Sequence, residues 1–267
     1  WSSDVCSSDL PTGCPVQRVV HPILLKLGSL EIHTYGVLVA AGFLAGIALA
    51  QHRARREGIA KEVISDLSVW LIASAMLGAK IFHIVFFWND FFAGWRESGW
   101  ASLRAGFVFF GGFVGATATG IVYLRWKKLP VWPLADIFAP ALALGHGLGR
   151  LGCLFEGCCY GKPCAVPWAI QIPGHTGLVH PTQLYEAAGN FLICAGLHFG
   201  CRQKRVPGQV WWTYVLAYAA LRFAIEFTRG DYSRYYFGWL TIGQVIATGI
   251  FAVAAALLVN STRRAGV

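Results

Sequence analysis

Arginine, histidine and carboxylate side chains stand inside several apolar runs of this chain, at spacings that would let them act together. His146 and Arg150 are four residues apart, Arg222 and Glu226 four, and Glu226 and Arg229 three, so each set falls on one face of a helix. His180, Gln183 and Glu186 follow one another at intervals of three. A charge deep in hydrocarbon costs about 3 kcal/mol or more, which makes each such residue a candidate for function. Arg150 is surrounded by Gly145, Gly147, Gly149 and Gly152, which let a partner approach the backbone closely. A guanidinium binds phosphate through two parallel hydrogen bonds, so a phospholipid headgroup is the ligand this position suggests. The structural alternative is an internal Arg222 to Glu226 salt bridge, with Arg229 and Lys80 extended towards headgroups.

The elements that must position these groups are membrane helices. Of 267 residues, 56% are hydrophobic and 13% charged, against roughly 25% charged in a soluble domain. Apolar runs of spanning length, about 17 to 25 residues, occur near 32–50, 67–88, 107–124, 184–200, 210–227 and 239–259. A further run near 131–152 is interrupted by Pro133, Pro140 and several glycines. The expected fold is therefore an all-α integral membrane protein of about seven transmembrane helices.

Basic residues mark alternate connections: Arg53, Arg55, Arg56 and Lys61, then Arg125, Lys127 and Lys128, then Arg202, Lys204 and Arg205, then Arg263 and Arg264. The positive-inside rule assigns these to the cytoplasm, which puts the N-terminus outside and the C-terminus inside, with an odd number of spans. The outer, periplasmic-side segments are then Trp95 to Arg104, the long loop of about 153–182, and Arg229 to Gly238. In that topology Tyr35, Lys80, His83, His146, Arg150, His180 to Glu186, Arg222 and Glu226 all fall in the outer halves of their spans. A shared cavity near the outer leaflet follows. Asp136, at the inner end of its span, is the exception.

The formal charge of +9 does not point to nucleic acid, because the basic residues form short clusters between apolar runs. Residues 1–10, with Ser-Ser-Asp repeated, lack the basic and apolar regions of a signal peptide and read as foreign sequence. Residues 11–30 form an N-terminal outer segment, 31–260 a single seven-helix membrane domain, and 261–267 a cytoplasmic tail.

Several short motifs occur in one order. They are His-Thr-Tyr-Gly at 33–36, Gly-Ala-Lys-Ile at 78–81, Phe-Gly-Gly at 110–112, Gly-His-Gly-Leu-Gly-Arg-Leu-Gly-Cys at 145–153, His-Pro-Thr-Gln-Leu-Tyr-Glu at 180–186, and Arg222 with Glu226 and Arg229. In this the chain resembles the prolipoprotein diacylglyceryl transferases from about Ile32 to Val259. The resemblance implies a multi-pass bacterial inner-membrane enzyme with its site towards the outer leaflet. It would move the diacylglyceryl group of phosphatidylglycerol onto the lipobox cysteine thiol at a prolipoprotein signal peptide, forming a thioether and releasing glycerol phosphate. Such chemistry needs a thiol to lose its proton and a phosphate leaving group to be stabilised, which two arginines and a carboxylate can do.

By the resemblance, Arg150 holds the lipid phosphate, Tyr35 and Arg222 line the site, and Glu226 orients Arg222 or assists proton transfer. Gly111, Gly112 and Arg229 belong to the substrate-binding set, and His180, Gln183 and Glu186 shape the outer mouth. No cofactor, metal or nucleic acid is implied; the partners are phosphatidylglycerol, the prolipoprotein and membrane lipids. Two departures stand out. The family often has His-Gly-Gly where this chain has Phe110-Gly111-Gly112, and its usual Asn and Glu after Gly-Arg-Leu-Gly are here Cys153 and Cys158. Glu156 is the candidate replacement for the carboxylate, and His146 or His180 for the histidine. An arginine that lowers the incoming thiol's pKa would make a dedicated base unnecessary.

Cys153, Cys158, Cys159 and Cys164 group in the outer loop, with no C-x-x-C and no standard zinc spacing. Disulfides or buried small residues are the expected reading there. Two other function classes fit parts of the pattern. A transporter would also bury ionisable residues beside a broken helix, and a thiol-redox or metal protein would depend on Cys153 and Cys158 rather than on Arg150.

Overall fold

The computed structural model describes residues 20–264 apart from 29, 105, 174–176, 202–203, 205, 231–234 and 237–239. The foreign segment expected at 1–10, most of the 11–30 segment, and Arg202 and Arg205 of the third basic cluster lie outside the described residues. Eight α-helices account for most of the remainder: α1 (Thr34–Arg56), α2 (Lys61–Phe86), α3 (Trp88–Ser98), α4 (Phe109–Trp126), α5 (Val131–Glu156), α6 (Thr182–Ala195), α7 (Gln209–Glu226) and α8 (Ile242–Arg264). All but the short α3 correspond to the apolar runs. A single π-helical stretch, Gly196–Gly200, extends α6.

By length and composition, α1, α2, α5 and α8 are apolar enough to cross a membrane. Leucines, valines and phenylalanines such as Leu44, Val69, Leu77, Phe113, Leu192 and Val253 face outwards along the helices. An apolar exterior of this kind is stable only in lipid, so the chain is a multi-pass membrane protein. The fold is not purely helical. Among the described residues three short antiparallel pairs lie at one end: β1 (Ile23–Leu27) with β2 (Leu30–His33) leads into α1, and β3 (Ile170–Gln171) with β4 (Leu178–Val179) and β5 (Tyr235–Tyr236) with β6 (Leu240–Thr241) connect helices.

The interruption expected in the 131–152 run does not occur, because α5 continues through both prolines. Pro133 lies in the first turn, where an N–H has no acceptor to lose, and Pro140 removes only one hydrogen bond within 26 residues. Gly157, at φ 77°, ends the helix in the left-handed conformation that a Cβ would oppose.

Helices pair through small residues, as expected where lipid offers apolar chains no incentive to associate. In the α2 and α4 pair, a Cβ on Gly111 would collide with the Gly78 carbonyl, so the backbones touch. Gly42 and Gly145 allow a similar approach of α1 and α5.

One end of the bundle is closed by an apolar core. Ala50 and Ala54 of α1, Ile64 and Leu67 of α2, Tyr123 and Leu124 of α4, and Leu134 and Ile137 of α5 meet there. The described basic residues of the clustered connections lie at this same end. Asp136 is fully buried among them, accepting from the backbone N–H groups of Gly208 at 2.8 Å and Trp211 at 3.0 Å. It is therefore the anchor for the N-terminus of α7, where a negative charge meets the positive end of the helix dipole. The sequence offered no helix start to pair with it, since the two positions are more than seventy residues apart.

Candidate active site

The opposite end of the bundle holds a second group of charged residues. Arg150 sits near the C-terminal end of α5, Glu186 in the second turn of α6, and Arg222 and Glu226 in the last turns of α7. Glu186, only 2% exposed, is the hub. Its Oε1 faces Arg150 Nη2 at 3.1 Å and accepts from the Tyr218 hydroxyl at 3.3 Å, while its Oε2 faces Arg222 Nη1 at 3.8 Å. Three helices thus converge on one carboxylate.

Arg150 Nε donates to His146 Nε2 at 3.3 Å, one helical turn away. A guanidinium cannot accept, so this imidazole nitrogen carries no proton. His146 Nε2 also lies 3.6 Å from Glu186, but an unprotonated nitrogen cannot form an ion pair with a carboxylate. The histidine therefore acts here as a rest for Arg150.

Arg222 Nη2 lies 3.0 Å from Glu226 Oε2. Neither that oxygen nor Arg222 Nη1 has a well-aligned hydrogen bond, so the contact is one of charge more than of direction. The other Glu226 oxygen accepts from Thr241 Oγ1 at 2.8 Å, and a Cβ on Gly243 would collide with this carboxylate. Thr241 in turn opens α8 through a reciprocal cap: Gln244 N–H donates to Thr241 Oγ1 at 3.3 Å, and Thr241 N–H to Gln244 Oε1 at 3.0 Å. Two arginines and two glutamates balance in charge. What the cluster offers an anion is unused donor capacity: Arg222 Nη1, buried and without an aligned hydrogen bond, beside the Arg150 guanidinium.

A cavity of about 420 Å³ opens next to the cluster, lined by His33, Tyr35, Cys153, Glu156, Cys158 and Cys159. Two of the expected residues, Tyr35 and Glu156, meet in it. The Arg150 charge acts on Tyr35, Cys153 and Cys159, which ties the cavity to the cluster. In the loop after α5, hydrogen bonds with Cys153 and then Cys158 hold the Cys159 thiol well below its ordinary pKa, and those with Cys153 and Cys159 push Cys158 up.

The other expected residues are distributed around this centre. Gln183, 1% exposed, donates from Nε2 to the Cys158 carbonyl at 2.6 Å, and Thr182 Oγ1 donates to the Cys159 carbonyl at 2.7 Å. Both Gln183 and Glu186 therefore lie deeper than the outer mouth expected for them. His180, partly exposed, has Nδ1 3.2 Å from the Tyr185 hydroxyl, and that hydroxyl accepts from Trp168 Nε1 at 2.6 Å. Arg229 is buried, its backbone bridged to Gly161. Gly111 and Gly112 face α2, against Gly78 and Ala75, in the helix interface. Lys80 does not reach for headgroups; its Nζ donates to the Ser102 carbonyl at 3.1 Å and lies over the Phe91 and Phe107 rings.

Network, cavity and motif order are what a family comparison has to account for, and a model of the prolipoprotein diacylglyceryl transferase family matches residues 22–260. The chain belongs to this family. Several relatives carry the name phosphatidylglycerol-prolipoprotein diacylglyceryl transferase. The Synechococcus elongatus protein is 34% identical over 251 residues, covering 89% of this chain and 85% of its own length. The Geobacter sulfurreducens protein is 33% identical over 252 residues, covering 92% and 96%. The Trichormus variabilis protein is 32% identical over 244 residues, covering 86% of each. As a prolipoprotein diacylglyceryl transferase family member, the chain is a transferase.

Sequence reasoning passed over Tyr218, Thr241 and Gln244. Tyr218 lies one turn before Arg222, on the same face, which was a usable signal. Thr-Ile-Gly-Gln at 241–244 has the S/T-x-x-E/Q form of a capping box, also legible in advance.

Proposed function

We propose that this chain transfers the diacylglyceryl group of phosphatidylglycerol to the lipobox cysteine thiol of prolipoproteins, forming a thioether and releasing glycerol phosphate. The single observation that carries the residue assignment is the convergence of Arg150 and Arg222 on buried Glu186, with Arg222 Nη1 near that carboxylate but without a hydrogen bond. Arg150 holds the lipid phosphate, and Arg222, oriented by Glu226, stabilises the charge that grows on the departing phosphate. Glu186 holds the two guanidinium groups close enough for one phosphate to touch both, a position that binding to Arg150 alone would not define. Tyr35 and Glu156 line the approach of the thiol, Gln183 holds the Cys158 loop from beneath, His180 and Arg229 support the surrounding loop, and Gly111 and Gly112 shape the substrate site through the close packing of α2 and α4.

His146 and Glu156 are the candidate proton acceptors. His146 Nε2 already receives the Arg150 N–H, so it takes a proton only if that bond is released when phosphate draws Arg150 away. Glu156 is exposed in the cavity and needs no such release.

The protein spans the bacterial inner membrane seven times, N-terminus out and C-terminus in, with this site towards the outer leaflet. Support comes from the opposed ends of the bundle: the clustered connections keep their basic residues with Asp136, and the network of Glu186 lies at the other end. A transporter and a thiol-redox protein are not favoured by the family match.

The test is complementation of a bacterial strain depleted of its own transferase, read as lipidation of a reporter prolipoprotein. The unaltered chain restores lipidation and Arg150→Ala does not. Normal lipidation by Arg150→Ala removes the role given to Arg150, and failure of the unaltered, correctly inserted chain removes the activity.

A further inference from the structure

Three thiols meet where α5 ends. Cys153 is in the last turn, Gly157 reverses the chain, and Cys158 and Cys159 follow. The sulfur atoms of all three lie within 4.8 Å of one another, and none of them is joined in a disulfide. Their placement does not depend on the thiols. The Cys158 N–H donates to the Cys153 carbonyl at 3.1 Å, and the carbonyls of Cys158 and Cys159 are held by Gln183 and Thr182. Cys159 adopts φ 62°, a conformation uncommon for a residue with a Cβ. Backbone and buried neighbours therefore aim three half-buried sulfurs at one point before anything binds.

Filling space does not require this, because serine or alanine would pack as well without converging. A tetrahedral zinc with Zn–S bonds of about 2.3 Å separates its sulfurs by roughly 3.8 Å, and a trigonal thiolate site is similar. The sulfurs are already near that spacing. We propose that Cys153, Cys158 and Cys159 form a trithiolate site for one thiophilic d10 cation, zinc(II) or copper(I). Three sulfurs suffice for copper(I), and zinc(II) takes a fourth ligand from Glu156, His33 or a water in the same cavity. Binding is ligand exchange with no change of oxidation state: each sulfur bonds the metal as thiolate, and any proton it still carries goes to solvent. A trithiolate carries more negative charge than either cation neutralises, and the charges of Arg150 and Arg229 act on this cluster in the compensating sense. The bound ion fastens the end of α5 to the loop that carries Gly161; it shares a cavity with the proposed transferase site, but its binding is measured without the transfer reaction.

The full chain, purified in detergent, is reduced with a phosphine and desalted without oxygen. It is then titrated with zinc(II) and, separately, copper(I), each against a chromogenic chelator. One ion per chain is expected, and whichever cation is bound more tightly identifies the occupant. In Cys153→Ser, Cys158→Ser and Cys159→Ser, affinity falls by about a hundredfold or more, the upper range for losing even an outer partner. Because a variant can misfold, alkylation of the unaltered chain is mapped by mass spectrometry: loading slows iodoacetamide at Cys153, Cys158 and Cys159 and leaves Cys194 and Cys201 unchanged. The proposal is overturned by uptake of neither cation, by unchanged affinity in the triple serine variant, or by protection of other cysteines alone. A disulfide between two of the three, with no uptake after its reduction, also overturns it.

Discussion

Asp136 and Glu186 are both carboxylates withdrawn almost wholly from solvent, at opposite ends of one bundle, yet they are satisfied in different ways. Asp136 accepts from two backbone N–H groups of α7 with Lys204 3.5 Å away, so its partners are fixed parts of the main chain. Glu186 is surrounded by side chains from two other helices, and one of the arginine nitrogens facing it lacks an aligned acceptor. A closed set of backbone donors makes a joint. An open set of charged side chains, held but not saturated, makes a site that still has bonds to offer. Burial alone does not distinguish the two.

The largest effect is expected at Glu186. Glu186→Ala leaves two guanidinium groups without their shared counter-charge, so kcat for prolipoprotein lipidation falls by about 10²- to 10³-fold, with a stability loss of about 3 to 5 kcal/mol. If kcat per folded molecule stays near the unaltered value, Glu186 is a joint like Asp136 and the contrast collapses. Asp136→Ala should do the reverse. It strands two buried N–H groups at about 1 to 3 kcal/mol each, lowering the unfolding temperature while kcat per folded molecule changes by less than about threefold, less than 1 kcal/mol of barrier.

Arg222→Lys keeps the charge and loses the planar fork, so kcat drops by about tenfold with little change in stability, as Lys is a poor substitute at a bidentate site. Restoration of full turnover by lysine would mean that charge alone is used there. Thr241→Val removes both the hydroxyl on Glu226 and the helix cap, at about 1 kcal/mol in thermal unfolding. Tyr218→Phe is the mildest, about 0.5 to 1.5 kcal/mol for one hydrogen bond, and a larger loss of turnover than of stability would add Tyr218 to the reacting groups.

The helices, the membrane setting and the main charged residues were legible because each leaves a local mark: a long apolar run, a cluster of basic residues, a four-residue spacing. Arg222 with Glu226 is such a mark and proved to be an ion pair. The hub was harder to read. Glu186 gains its role from Arg150 and Arg222 on other helices, and no periodicity within α6 encodes which partners will arrive. The same holds for Asp136, whose partners are backbone atoms that any sequence would supply. The expected break in α5 failed for a different reason, since a proline's effect depends on its place in the helix and on neighbours that hold the helix together. Convergence of Cys153, Cys158 and Cys159 depended on the reversal at Gly157, which sequence spacing does not specify.

The reciprocal cap between Thr241 and Gln244 has a consequence for biosynthesis. Translation delivers Arg150 first, then Glu186, then Arg222 with Glu226, and only afterwards the threonine that fixes Glu226. Until α8 emerges, α7 lacks that hydroxyl. An arginine and a glutamate one turn apart can travel as a self-neutralised unit, sparing the insertion machinery two separate charges of about 3 kcal/mol each. α8 then acts as a latch, holding Glu226 only after the charged residues of α5, α6 and α7 have all been made.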